Sequence, residues 1–280
     1  MRSIIRWGSY PVILGTATAA QIFILTNNGS FWPSSLIIVS LCLSVIAVLE
    51  RIQPYQAKWN EDHNDTLVDI LHAAFSLSLI FLMVKIVSLL RQILPSAPIW
   101  PIELAIWLQV FIAGLIIDFG LWFMHWLSHK SDFLWRLHVL HHSSKRLYWL
   151  NGERRHPISA VLLASPGLLI VVYIGAPPEI IGAWFAIVAV HLAFQHANLD
   201  YKVGVFRNIF GVAEVHRWHH KRDYQDSQVN FGEFWMIWDQ LFWTFRSSHN
   251  DLQANEVGVY ESTPTDYLGQ LRWPFKAKSK

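Results

Sequence analysis

The chain has 280 residues, of which 53% are hydrophobic and 15% charged, with a net charge of +2. Soluble domains carry about 25% charged residues, so this composition, with its recurring apolar runs, marks an integral membrane protein. The small net charge excludes a nucleic-acid partner, and the lone Cys42 excludes an intrachain disulfide, a zinc finger or an iron–sulfur cluster.

Residues 1–9 form a short head with Arg2 and Arg6, and no signal-peptide cleavage site follows, so the first apolar run is expected to be retained. Residues 10–26 read as a first span, Asn27 to Pro33 as an uncharged turn, and 34–50 as a second span ended by Glu50, Arg51 and Pro54. Residues 51–65 are a polar loop. Residues 66–94 are a long third span, with Asp69 and His72 in its first turn and Lys85 and Arg91 at its far end. The stretch Pro95 to Pro98 is a tight turn. Residues 102–129 form a fourth span, about 42 Å long if helical, which exceeds the hydrocarbon thickness. Residues 158–175 and 179–197 form an apolar hairpin around Gly175, Pro177 and Pro178, either spanning or re-entrant. Residues 198–280 are a polar, aromatic-rich tail. Its end, KAKSK, reads as solvated, with a spacing that resembles a dilysine retrieval signal.

Charge orients the chain. With six spans, residues 1–9, 51–65, 129–157 and 198–280 share one side and hold 20 of the 22 Lys and Arg. Lys85 and Arg91 can snorkel. The positive-inside rule then places both termini in the cytoplasm.

The same topology gathers histidine. Eleven of the fourteen histidines fall between residues 125 and 220, all expected near the cytoplasmic face. Five lie in eighteen residues, as H-x-x-x-H (His125, His129) and H-x-x-H-H (His138, His141, His142). A second H-x-x-H-H follows at His216, His219 and His220. Positions i, i+3 and i+4 share a helix face, so each box is expected to aim two or three imidazoles at one point. Asp132, after Ser131, is expected to N-cap a short helix, Phe133 to His142, folded back toward the first box. His196 in FQHAN is a further ligand candidate, and His156 in RRHP a tenth. His72 and His191 read as structural, His63 and His249 as solvated. Imidazole suits Zn, Cu, Fe and Ni, and eight to ten ligands suffice for two ions.

Ligating histidines need acceptors for their other ring nitrogen. Asp118 lies on the stripe that leads to His125 and His129, and a carboxylate inside a span is costly, so it is expected to orient a ligand. Asn198, Glu214, Asp223, Asn230 and Asp239 are weaker candidates for the same task. Trp235, Trp238 and Trp243 in the segment Asn230 to Phe245 suit a membrane-interface belt, or a lid over the metals.

At these residues the chain resembles the fatty acid hydroxylase / sterol desaturase superfamily of membrane non-haem di-iron proteins. The matching elements come in order: Asp118 before HWLSH, then HVLHHSS, RRHP, QHAN, EVHRWHH, NFG and WDQLFWT, over about residues 65–245. One departure is Trp126, where many members have Arg. The resemblance implies two Fe ions, with Zn as a substitute in a purified sample, and O2 as co-substrate. It also implies a membrane lipid substrate (fatty acyl, sterol or alkyl-lipid) and hydroxylation of a C–H bond. No cytochrome-b5-like segment or nucleotide fingerprint is present, so electrons are expected from a separate donor, cytochrome b5-like, ferredoxin or similar.

The expected fold is all-α: a multi-pass transmembrane helical bundle of four to six spans with a cytoplasmic helical cap holding a histidine-box di-metal site. Residues 1–64 are expected to form an N-terminal hairpin and loop, 65–245 the catalytic domain and 246–280 a polar tail. The expected location is a bacterial inner membrane or, in a eukaryote, the endoplasmic reticulum. Competing readings are a desaturase on the same centre and, in a different class, a metal-binding or metal-transporting membrane protein. A transporter places its ligands near the bilayer midplane, whereas these cluster at one face.

Overall fold

The computed structural model describes residues 1–27, 31–93, 99–248 and 250–276. The expected turn at Pro95 to Pro98, residues 28–30 of the expected turn Asn27 to Pro33, His249 and nearly all of KAKSK lie outside those residues, and Phe31 to Pro33 already belong to the second helix.

Long helices form wherever apolar residues run on without a break. They are α1 (Arg2–Thr26), α2 (Phe31–Ile52), α3 (Thr66–Ile93), α4 (Ile106–Ser128), α6 (Pro157–Tyr173) and α7 (Pro178–His196), with α5 (Asp132–His142) between α4 and α6. The tail adds α8 (Ala213–His219), α9 (Ile237–Leu241) and α10 (Tyr267–Arg272). Among the described residues there is no strand, only isolated bridges. By length and composition, α1, α2, α4 and α7 can each cross a membrane; α6 and the Thr66–Leu79 part of α3 are apolar but shorter. The head expected at residues 1–9 is the first turns of α1, which runs through Pro11 without ending.

Helix α7 is the axis of the bundle, buried from Ile180 to His196 save for partly exposed Phe185 and Ala189. Lipid tails are as apolar as Leu, so helices in a membrane associate through close packing, which small residues permit. Helices α4 and α6 meet at Gly120 and Gly167. A methyl group at Gly167 would stand 2.5 Å from Ile117 Cα, closer than atoms can pack. Gly114 likewise leaves room for the Trp184 indole, which a methyl group would approach to 2.5 Å. Aromatic rings fill the seam between α1 and α7, with Tyr10 edge-on to Phe194 and stacked on Tyr201.

The chain breaks after α4 and resumes at Ser131. That residue, not Asp132, is the N-cap of α5, and its side chain makes no capping bond. Asp132 belongs to the first turn, where a carboxylate meets the positive end of the helix dipole. Helix α6 starts with His156 as N-cap and Pro157 as its first residue, an arrangement suited to proline's missing N–H.

Polar groups lock the connecting loops to the start of α3. Arg146 is fully buried and reaches Asp65 at 2.7 Å and Asp62 at 3.1 Å. Arg154 pairs with Asp69 at 2.8 Å, and the Tyr148 hydroxyl donates to the same carboxylate at 2.8 Å. These bonds fix the segment between α5 and α6, and with it the angle at which α5 presents its histidines.

Candidate metal centre

Nine buried histidines meet where four helices end. His125 lies in the last turn of α4 and His129 is its C-cap. His141 and His142 close α5, His196 closes α7, and His219 and His220 close α8. Each end is a helix C-terminus, which carries partial negative charge and favours a cation.

The imidazoles form two groups. His125, His129, His138, His142 and His219 make one; His141, His196, His216 and His220 make the other. Within each, ligand nitrogens lie within 4.8 Å of one another. The groups adjoin, with the His142 ring stacked on His220 at 4.6 Å between centroids. Each H-x-x-H-H box aims two of its imidazoles at one group, within the two or three expected, and sends the third to the other group. In the first box His138 and His142 serve one group and His141 the other; in the second, His216 and His220 pair while His219 crosses over. Helix geometry explains the split: i and i+4 nearly superpose, whereas i+3 and i+4 diverge by about 100°. The rings of His141 and His142 stand at 89°.

The donor set fits metal ions. Nε2–Nε2 separations are 3.2 Å for His129–His142 and His138–His142, 3.2 Å for His196–His216 and His196–His220, and 3.0 Å for His216–His220. Metal–imidazole bonds of about 2.1 Å at angles between octahedral and tetrahedral give edges of about 3.0–3.4 Å. The Nε2 atoms of His125 and His219 are buried with no protein partner, while the Nδ1 atom of each has one. His125 Nδ1 donates to the Phe231 carbonyl and His219 Nδ1 to the Val229 carbonyl, both at 2.8 Å. Such bonds set the tautomer that points the Nε2 lone pair into the site. Burial, and then repulsion among neighbouring imidazoles, hold His129, His138, His141, His142, His216, His219 and His220 well below the ordinary imidazole range. They stay neutral, the form that binds metal.

His156 stands apart from both groups. Its Nδ1 accepts from the Ile158 N–H at 3.1 Å and its Nε2 meets the Leu271 carbonyl at 3.1 Å, so it is occupied as a helix cap. His191 bonds the Tyr10 hydroxyl at 2.9 Å, and His72 bonds the Arg155 carbonyl and Gln270.

None of the polar residues expected to orient ligands bonds a histidine. Asp118 accepts from the N–H groups of Phe234 and Trp235 and from the Trp238 indole, at 2.9, 3.1 and 2.9 Å. It clamps the tail segment to α4. Asn198 ties α7 to Gln56 and Asn60. Glu214 accepts from Val203 N–H and faces Lys202 and Arg207. Asp223 closes a turn with Gln225 and Asp226. Asn230 bridges Val215 and Arg246, and Asp239 holds the N–H groups of Phe231 and Gly232. Asn230 and Asp239 thus shape the loop whose carbonyls orient the ligands, one step removed from the rings.

Two residues that no motif singled out stand closer. Glu233 Oε1 is 3.4 Å from His125 Nδ1, and the same buried carboxylate pairs with Arg155 at 3.0 Å. The Gln228 side chain meets His129 Nδ1 at 3.0 Å. The sequence signal for Glu233 was its place directly after Asn230-Phe231-Gly232.

The fatty acid hydroxylase family model matches residues 110–244, which carry all nine histidines. The chain is 28% identical over 281 residues to ornithine lipid hydroxylase OlsE of Rhizobium tropici, covering 97% of this chain and 84% of that protein. It is 27% identical over 168 residues to human alkylglycerol monooxygenase and 26% over 161 residues to sphinganine C4-monooxygenase 1 of Arabidopsis thaliana. Each of these alignments covers 56% of this chain, and they span 33% and 60% of the respective relatives. No solved structure matches.

Proposed function

Because the chain belongs to the fatty acid hydroxylase / sterol desaturase superfamily, we propose that it is a membrane enzyme that hydroxylates a C–H bond of a membrane lipid. The observation that carries the proposal is the pair of adjoining histidine groups, five and four imidazoles, buried at the ends of apolar helices. Each group would hold one iron ion. When bound, the ions supply the redox chemistry that activates O2. One oxygen atom enters the C–H bond, and the other leaves as water with two electrons and two protons. The electrons come from a separate donor protein, cytochrome b5-like or ferredoxin-like.

The chain's own residues do the rest. Nine neutral imidazoles donate lone pairs. The carbonyls of Phe231 and Val229 hold two of the rings in register, and the Glu233 carboxylate lies 3.4 Å from His125 Nδ1. Phe231 packs edge-on against His125, His129 and His219, shutting water from one side of the site. The substrate is a lipid of the class that the relatives' names describe, and the ornithine lipid hydroxylase is the relative that the alignment covers most fully. Residues 65–245 form the catalytic unit. The distribution of Lys and Arg supports a cytoplasmic metal centre and cytoplasmic termini.

The test is comparative lipid analysis of cells producing the intact chain or His219→Ala, grown with air and iron. A hydroxylated lipid should vanish in the variant. Identical lipid profiles would overturn the proposal, and an unsaturated product in place of a hydroxylated one would assign a desaturase.

A further inference from the structure

A polar cavity of about 360 Å³ is walled by three segments: the loop before α3, the start of the connection from α5 to α6, and the tail after residue 257. Lys145, Arg154 and Arg222 line it, with Asp65 and Glu261 as the carboxylates. Both carboxylates are already engaged. Asp65 pairs with Arg146 at 2.7 Å, and Glu261 accepts from the Trp135 indole N–H at 3.1 Å. The cations are less fully matched. Lys145 is exposed and pairs with no carboxylate among the described residues. Arg222 donates to the Val257 carbonyl at 3.1 Å and likewise meets no carboxylate there. The exposed His63 also lines the cavity.

Arg154 forms the buried part of the wall. It is only 5% exposed, and its Nη1 donates to Asp69 at 2.8 Å, while its Nε is buried with no partner. A buried guanidinium N–H is costly to leave without an acceptor. Ser262, Thr263 and Thr265 add hydroxyls that no protein group engages among the described residues. Free donors thus outnumber free acceptors around the cavity, and its volume lies within the range of about 300–1,000 Å³ typical of ligand pockets. A phosphate monoester carries close to two negative charges and three strong acceptor oxygens. Guanidinium, ammonium and hydroxyl donors are the groups that bind it.

We propose that this cavity binds a phosphate monoester, with Lys145 and Arg222 pairing with its oxygens and Arg154 Nε as a buried donor. The site does not depend on the oxidation chemistry. It does adjoin the metal centre through the chain: Ser143 and Ser144, which line it, directly follow His142, and Gly152, two residues before Arg154, lies against the His196 ring. A bound phosphate would therefore tie three segments together beside both histidine groups.

The probes are glycerol 3-phosphate and dihexanoyl phosphatidic acid, each titrated by calorimetry into the full chain in detergent. Glycerol and dihexanoyl phosphatidylcholine are the controls for the phosphate and for partition into micelles. At least one phosphate monoester should bind and its control should not. Lys145→Gln and Arg222→Gln should each lower the affinity about tenfold. Lys58→Gln, an exposed cation that does not line the cavity, should leave it unchanged. Arg154→Lys keeps a cation beside Asp69 but removes the Nε–H, and should also weaken binding. Melting temperature and metal content measure the intact fold in every variant. Binding of both monoesters assigns the site to a free phosphate compound, and binding of phosphatidic acid alone assigns it to a lipid headgroup. No binding of either, or wild-type affinity in both Lys145→Gln and Arg222→Gln, would overturn the site. An equal loss in Lys58→Gln would show attraction to the basic surface as a whole and overturn it too, and unchanged affinity in Arg154→Lys would overturn the part given to that residue.

Discussion

Glu233 Oε1 stands 3.4 Å from His125 Nδ1, although the two lie on different elements far apart in the chain, and the Glu233 carboxylate also neutralises the buried Arg155. One carboxylate thus lies beside a ligand candidate and satisfies a cation with little access to water. Removing one member of a buried pair costs about 3–5 kcal/mol, because the other charge stays behind unpaired. Glu233→Ala should therefore lower thermal stability by that order, and Glu233→Gln by less, since the amide still accepts from Arg155. Differential scanning fluorimetry in detergent makes the comparison; a Glu233→Ala protein as stable as wild type would contradict it.

The two groups should fill independently. About two metal ions per chain are expected, one for each histidine group. His129→Ala should remove mainly the ion of the five-histidine group, and His220→Ala mainly that of the four-histidine group. Elemental analysis after iron loading reads both. A single ion per wild-type chain would sink the two-metal reading. Stripping the metals with a chelator should lower the melting temperature, since an ion that binds only the folded state stabilises it.

Asp118 separates two roles that a sequence cannot tell apart. As a clamp, its loss leaves two buried N–H groups and an indole N–H without an acceptor, at about 1–3 kcal/mol each. Asp118→Ala should raise hydrogen–deuterium exchange across residues 231–245 before metal content changes. Loss of metal with unchanged exchange would instead make it a direct ligand partner.

Gly152 touches the site without donating to it. A Cβ there would stand 2.9 Å from His196 Nδ1, too close for the ring to keep its place. Gly152→Val should displace His196, reduce metal in the four-histidine group and spare the other. Full metal content in this variant would show that the ring has room to move.

Much of the centre was legible in the sequence because its signals are local. Apolar run length marks helices, and i, i+3, i+4 spacing marks histidines on helical faces. All nine histidines of the three boxes and FQHAN do converge. His156 had the right residue type, yet its backbone position as the residue before Pro157 made it a cap. Gln228 carries no local signal, and the one beside Glu233, the preceding Asn230-Phe231-Gly232, does not say which histidine about a hundred residues away its carboxylate meets.

The sequence by itself determined the membrane setting, the helices and the identity of the ligand candidates, since hydropathy and helical period act over one or two turns. Only the tertiary structure decided how the histidines divide into five and four, which carbonyls orient them, and that Asp118 holds the backbone of the tail. Those outcomes depend on which helix ends are brought together. A side chain's hydrogen-bond partner is chosen by geometry across the whole fold, as when His125 finds the Phe231 carbonyl 106 residues on.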